Sequence, residues 1–142
     1  MATTSTARTH WEGSLTEGAG STELVTSGVA TFDVAWGKRA EAGAGTTNPE
    51  ELIAAALATC YSMALSHGLT GNGTPPQSID TEVGIDFVPG TGITGATIKV
   101  RARVEGLSEE AFQHFAEDTK VNCPVSQALA GVEKTLEASL EA

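Results

Sequence analysis

Two residues in this chain could do sulfur chemistry, Cys60 and Cys123, and they are its only cysteines. A thiol is a nucleophile only as its thiolate, so what matters for each is its surroundings. Cys60 lies in NPEELIAAALATCYSMALSHG, residues 48–68, among Ala, Leu, Met and Ile. Free cysteine is common in apolar cores, so on such a run the inert reading outweighs the reactive one. Cys123 stands in VNCPVSQAL, directly before a proline. Pro124 suits the first position of a helix, and a thiol just ahead of it faces unpaired backbone N–H groups that favour a thiolate. The same position also suits a simple helix cap, a place usually held by Ser, Thr, Asp or Asn. From the residues alone, both readings of Cys123 stand.

Other chemistries find less support. Zinc needs three or four ligands, and two separated cysteines with no local histidine do not supply them. A CxxC redox pair and a phosphate-binding glycine motif are both missing from the sequence. His67 follows Cys60 by seven residues, which puts it on the same side of a helix but about 10.5 Å along it, too far for a direct bond. It reads as a helix-end residue near free carbonyls, and His10 and His114 read as solvated.

The elements that must position the thiols follow from pattern. Asn48 suits an N-cap, Pro49 the first helical position, and Glu50 and Glu51 the positive end of the helix dipole. From Leu52 to Leu69 there is no Asp, Glu, Lys or Arg, and His67 and Gly68 supply a stop. A helix apolar on nearly every face is expected to be buried all round. A membrane span is rejected, because the run is Ala-rich, is broken by Thr59, Ser62 and Ser66, and has no basic flank. Before the helix three strands are predicted: one over 7–15 and one over 30–36 from alternation, and between them a short one at Leu24-Val25, after a turn at 17–20 and ended by Ser27-Gly28. Residues 37–47, carrying Lys38, Arg39 and Glu41, read as a Gly/Ala-rich loop. After it, strands are predicted over 79–87 and 98–104, joined through a Gly-rich connection at 89–95. A helix capped by Ser108 follows, with Leu107 and Phe112 as a hydrophobic staple and Lys120 at its end. A short helix over 122–130 and a closing strand over 132–140 complete an α+β chain, a mostly antiparallel sheet against a hydrophobic helix.

At 142 residues the chain is expected to form one domain, 1–142, with a real core. Sixteen glycines with ordinary apolar content indicate tight turns rather than disorder. A formal net charge of −10 repels phosphates and anionic headgroups, which argues against nucleic acid and membrane as main partners. The Thr-rich start MATTSTART lacks the apolar core of a signal peptide, so the expected location is the cytoplasm. In that reducing compartment a static structural disulfide is not expected.

The paired contexts NPEELIAAALATCYSMALS and VNCPVSQAL resemble the OsmC/Ohr family of thiol peroxidases, and HWEG at 10–13, the Arg39 loop and SID at 78–80 resemble its OsmC branch. The match spans essentially the whole chain. The resemblance implies an OsmC-like fold, an intertwined homodimer with active sites at the subunit boundary, and reduction of organic hydroperoxides by a two-cysteine cycle. By position, Cys60 corresponds to the peroxidatic cysteine and Cys123 to the resolving one. Arg39 corresponds to the arginine that activates the thiolate, and Glu50 to the carboxylate that holds it. As bare residues, Arg39 also reads as a solvated loop charge and Lys38 as an alternative cation. The family needs no bound cofactor or metal, and an external dithiol, typically a lipoyl group on a partner protein, reopens the disulfide. Burial would raise the Cys60 pKa, so a neighbouring guanidinium is needed to reverse that. Glu50 and Cys60 lie ten residues and about 15 Å apart on one helix, so the Glu50 near a given Cys60 is expected from the other subunit. The rival expectations are a non-catalytic binding module and a thiol-based redox sensor on the same fold.

Overall fold

The computed structural model describes residues 1–41 and 45–141; residues 42–44 of the 37–47 loop and the side chains of Lys38 and Ala40 lie outside the described residues. The chain divides into two compact units, Met1–Leu52 and Ile53–Ala142. The first holds an antiparallel meander in the order β1-β2-β3, with β1 at Ala7–Glu12, β2 at Ala19–Leu24 and β3 at Thr31–Val34. β2 is longer than the pattern predicts and begins inside the segment read as a turn. Gly20 explains this: a Cβ there would run into the His10 carbonyl oxygen and sit 3.0 Å from the Trp11 ring. The glycine is therefore a strand residue that lets β1 and β2 approach, not a turn residue. All six residues of β1 are exposed, although Ala7, Thr9 and Trp11 alternate as a buried face would.

The segment after β3 is a correction to the sequence reading. Residues Trp36–Ala40 form a short helix, α1, not a loop. Its N-cap is Ala35, which makes no side-chain cap bond, and no acidic residue occupies the first turn. None of the usual start signals was there to be read.

α2 spans Pro49–Gly71 and starts as predicted: the Asn48 side-chain oxygen accepts from the Glu51 N–H at 2.7 Å. It ends three residues later than Gly68. The Gly73 N–H bonds to the Thr70 carbonyl and the Thr74 N–H to the Leu69 carbonyl, both at 3.0 Å. With Gly73 at φ +83, this is the left-handed glycine cap that closes the helix.

In the second unit, β4 (Ser78–Val88) and β5 (Gly92–Arg103) form an antiparallel hairpin, tighter than predicted because Gly92 to Gly95 belong to β5. α3 (Glu109–Asn122) begins at Ser108, whose hydroxyl oxygen accepts from the Ala111 N–H at 3.2 Å. α4 (Pro124–Ala128) follows, and β6 (Lys134–Glu141) returns parallel to β5, giving the order β4-β5-β6. Parallel pairing follows from connectivity, since the two helices carry the chain back to the starting end of β5.

The core of this unit joins Leu57, Tyr61, Leu65 and Leu69 of α2 to Ala96, Ile98, Val100 and Ala102 of β5 and to Phe112 of α3. Each fully buried Leu or Ile contributes about 1.5–3 kcal/mol. The four α2 residues repeat every four positions, one stripe of the helix. Burial does not extend all round as the composition predicts: Ala55, Ala56, Thr59, His67 and Thr70 are exposed, and Met63 is 69% exposed. By length and hydropathy α2 matches a membrane span, yet its buried stripe forms the core of a folded unit.

Candidate active site

The two sulfurs are brought together in the second unit. Cys60 is set by its neighbour Tyr61, whose hydroxyl donates to the Ala116 carbonyl at 2.9 Å and pins α2 against α3. Burial pushes the Tyr61 phenol far above its ordinary pKa, with the Glu117 and Cys123 charges adding to the rise. Cys123 is the joint between helices: it ends α3, with its N–H on the Thr119 carbonyl at 3.0 Å, and it caps α4. Its sulfur accepts from the Ser126 N–H at 3.4 Å, and its S–H donates to the Ser126 Oγ at 3.3 Å. The cap reading and the thiolate reading of Cys123 are therefore compatible, since the capping bonds are also bonds to sulfur.

Both thiols are free; Cys60 is half-buried and Cys123 is 1% exposed. The Cys60 pKa is raised above its ordinary value. Burial is the largest cause, the Val125 N–H opposes it, and the bond to and charge of Cys123 raise it further. Cys60 and Cys123, far apart in sequence, thus act directly on each other. Among the described groups that shift Cys60, none is a cation. The condition placed on Cys60 by the sequence, a guanidinium that favours the thiolate, is not among them.

The first unit holds the other pair. Arg39 Nε donates to Glu50 Oε1 at 3.0 Å. Glu50 is in the first turn of α2, where the helix dipole favours a carboxylate, and its side chain is only 6% exposed. Its Oε2 is buried with no hydrogen-bond partner among the described residues. Arg39 is 36% exposed and lies with its guanidinium carbon 6.0 Å from the centre of the Trp36 ring, three residues back on α1. α1 therefore presents a cation and an aromatic ring on one side. Beside them is an apolar groove of about 380 Å³ whose walls include Trp11, Leu15, Val34, Trp36, Pro49, Leu52 and Arg39. Trp11 and Leu15, which share one face in the alternating pattern of residues 7–15, line this groove. Among the described residues no three His, Cys, Asp or Glu side chains gather to hold a metal ion.

Sequence reasoning missed Ser126 and the Val125 N–H as groups acting on sulfur. The signal was present as CPVS: a residue three positions past a cap is where the cap side chain finds its backbone donor.

Residues 42–137 match the family model described as OsmC-like protein. The chain is 40% identical over 123 residues to peroxiredoxin OsmC of Escherichia coli (strain K12), covering 84% of this chain and 85% of that protein. It is 34% identical over 93 residues to an organic hydroperoxide resistance protein of Xanthomonas axonopodis pv. citri (strain 306), covering 63% of this chain and 64% of that one. Among solved structures it is similar to the organic hydroperoxide resistance protein OsmC of Legionella pneumophila, with a TM-score of 0.72 over 100% of this chain and 99% of the other; at 22% identity that likeness is one of fold. The organic hydroperoxide resistance protein OhrB of Bacillus subtilis gives a TM-score of 0.64 at 26% identity, over 96% of this chain and 98% of the other.

Proposed function

The chain belongs to the OsmC-like protein family, and from that premise we propose that it reduces organic hydroperoxides to alcohols through a Cys60–Cys123 disulfide cycle. The observation that carries this reading is the packing of Cys60 against the core cluster that contains Cys123, in one folded unit. The Cys60 thiolate attacks the terminal oxygen of ROOH, the O–O bond breaks, and ROH leaves after taking up a proton. Cys60 is then a sulfenic acid. The Cys123 thiolate attacks that sulfur and forms the disulfide, and the hydroxyl group leaves as water after taking up a proton. A dithiol, a lipoyl group on a partner protein or another of its class, reopens the disulfide by exchange. No bound cofactor takes part.

The remaining parts of the reading concern activation and substrate. Arg39 stabilises the thiolate and the peroxide oxygens, and Glu50 holds Arg39 in place. Because ten residues of helix separate Glu50 from Cys60, about 15 Å of rise, the Arg39–Glu50 pair that serves a given Cys60 comes from a second copy of the chain. The protein is accordingly a homodimer, and residues 1–142 act as one domain within it. The groove of about 380 Å³ beside Arg39 is apolar, so alkyl and fatty-acid hydroperoxides are preferred over hydrogen peroxide. The site of action is the cytoplasm, with no nucleic acid or membrane as partner.

The test is thiol counting. One equivalent of organic hydroperoxide removes two free thiols; Cys60→Ser consumes no peroxide, and Cys123→Ser undergoes a single oxidation. In the steady state a lipoyl dithiol supports turnover and a monothiol does not. One observation favours a second reading, a non-catalytic or redox-sensing protein: the raised Cys60 pKa, which disfavours the thiolate. Oxidation of Cys60 that forms no disulfide and supports no turnover with the dithiol selects that reading.

A further inference from the structure

We infer that Ser126 strengthens the preference for attack on Cys60 when the Cys60–Cys123 disulfide is reduced, by hydrogen-bonding Cys123 so that Cys60 is the sulfur attacked and Cys123 the one expelled. The inference rests on the two-cysteine reading above and adds a direction to its last step. Both sulfurs of a disulfide are electrophilic, and the choice between them follows access and the stability of the departing thiolate. Access favours Cys60, which is half-buried, over Cys123, which is 1% exposed. Stability of the departing thiolate favours the same outcome. Two groups of Ser126 lie at Cys123 Sγ, the backbone N–H, which donates at 3.4 Å, and the hydroxyl oxygen, which accepts the S–H at 3.3 Å. The hydroxyl accepts from the S–H when Cys123 is protonated, and by rotating about its C–O bond it donates to the sulfur when Cys123 is a thiolate. Ser126 is 2% exposed, so water does not compete for either bond. Among the described groups that act on Cys60, one backbone N–H, that of Val125, favours its thiolate, set against the cost of its own burial.

The exchange balances. The thiolate of a dithiol attacks Cys60 Sγ, the Cys60–Cys123 bond breaks, and its electron pair leaves on Cys123, which takes one proton. The second thiol of the reductant then attacks the reductant sulfur bound to Cys60. Cys60 departs with the other proton and the reductant becomes a cyclic disulfide. Ser126 does not touch the reductant; it is a positioning residue acting through Cys123.

The test uses a monothiol, which stops at the mixed disulfide. The full-length disulfide, formed with an organic hydroperoxide and in parallel with diamide, is treated with limiting 2-mercaptoethanol. It is quenched with N-ethylmaleimide and mapped by peptide mass spectrometry. The expected result is mercaptoethanol on Cys60 and maleimide on Cys123, in roughly tenfold excess over the reverse. Ser126→Ala lowers that ratio by about fivefold, the loss of one hydrogen bond to a charged sulfur, and Ser126→Thr, which keeps the hydroxyl, restores it. Mercaptoethanol mainly on Cys123 in the wild type overturns the inference whatever the variants do. An unchanged ratio in Ser126→Ala, or no restoration in Ser126→Thr, removes Ser126 from it. If diamide forms the disulfide and the hydroperoxide does not, the peroxidase reading fails while the mapping still decides the direction of attack. If neither oxidant forms it, both fall.

Discussion

The Arg39–Glu50 pair can be tested as an energetic unit. Arg39→Met leaves the Glu50 carboxylate 6% exposed and without the guanidinium N–H that reaches Oε1 at 3.0 Å, while Oε2 already has no hydrogen-bond partner among the described residues. Breaking a fully buried pair from one side costs about 3–5 kcal/mol. Here the Arg39 end is 36% exposed, so solvent screens part of the loss and the expected cost is about 2 kcal/mol. Glu50→Gln keeps an oxygen for the Arg39 N–H but removes the charge, for about 1 kcal/mol. In the double variant no charge is stranded, so its cost falls short of the sum of the single costs by about 1–2 kcal/mol. Arg39 has further interactions, but they are lost in both arms of the cycle and cancel from the coupling. The assay is urea denaturation followed by tryptophan fluorescence. It suits the question because the chain's two tryptophans, Trp11 and Trp36, both lie in the unit that holds the pair. A coupling below about 0.5 kcal/mol, the range of independent sites, would show that Glu50 does not hold Arg39.

Four further outcomes are expected. Tyr61→Phe costs about 1–1.5 kcal/mol, because it leaves the Ala116 carbonyl without its hydroxyl donor; an unchanged urea midpoint refutes this. Peptide-resolved iodoacetamide labelling of Cys60 has its midpoint above the ordinary thiol value of 9.0 in Arg39→Met, where the described groups that act are burial, the Val125 N–H and Cys123, and at lower pH in the wild type; equal midpoints exclude Arg39 from activation. The sign carries over to stability in Arg39→Met. With the folded thiol above 9.0, the Cys60 contribution is complete below pH 9.0 and is lost as the pH rises through the folded value, so the stability difference from the Cys60→Ser double variant shrinks there. Met63→Glu, at a position 69% exposed, leaves the single chain folded but gives a species near 14.5 kDa by sedimentation, with peroxidase activity lost, where the wild type sediments at twice that mass; a monomeric wild type with full activity refutes the dimer.

Much of this arrangement was legible where local chemistry and tertiary structure agree. Asn48, Pro49 and the two glutamates announced α2, Ser108 announced α3, and period-two alternation found every strand except β2. Strand ends were lost where glycine served packing instead of turning, as at Gly20 and at Gly92 to Gly95. α1 was not legible, because an uncapped five-residue helix that starts after Ala35 carries no start signal. At the site, the residue types of Cys60 and Cys123 drew attention, Arg39 and Glu50 entered through the family resemblance, and the pairings of these residues are contacts that only folding makes. Ser126 escaped notice because serine is common and its importance lies in the atom it meets. The direction of the Cys60 shift was anticipated from burial; its opposing cation was anticipated too, and is not among the groups that act on Cys60 in the described chain.

Three features of α2 that look unrelated in one chain are consistent with a single cause. Its outward stripe, Ala55, Ala56, Thr59, Met63, His67 and Thr70, contains no Asp, Glu, Lys or Arg although it is exposed, in a protein of net charge −10 that has acidic residues to spare for its surface. Solvated helix faces normally carry charge, whereas faces that pack against another helix carry small and apolar residues. Near the middle of the same helix sits a thiol whose pKa burial pushes up, although the proposed chemistry needs its anion. At the helix start is a buried carboxylate holding an arginine, ten residues before that thiol and about 15 Å from it by helical rise. Antiparallel packing of two such stripes would cover both uncharged faces and carry the start of each helix toward the middle of the other. That is the displacement by which an Arg39 of one copy could oppose the effect of burial on the Cys60 of its partner. On this view the sulfur pair belongs to one chain and its activation to the other, so loss of association removes reactivity toward peroxide while leaving Cys60 and Cys123 able to bond.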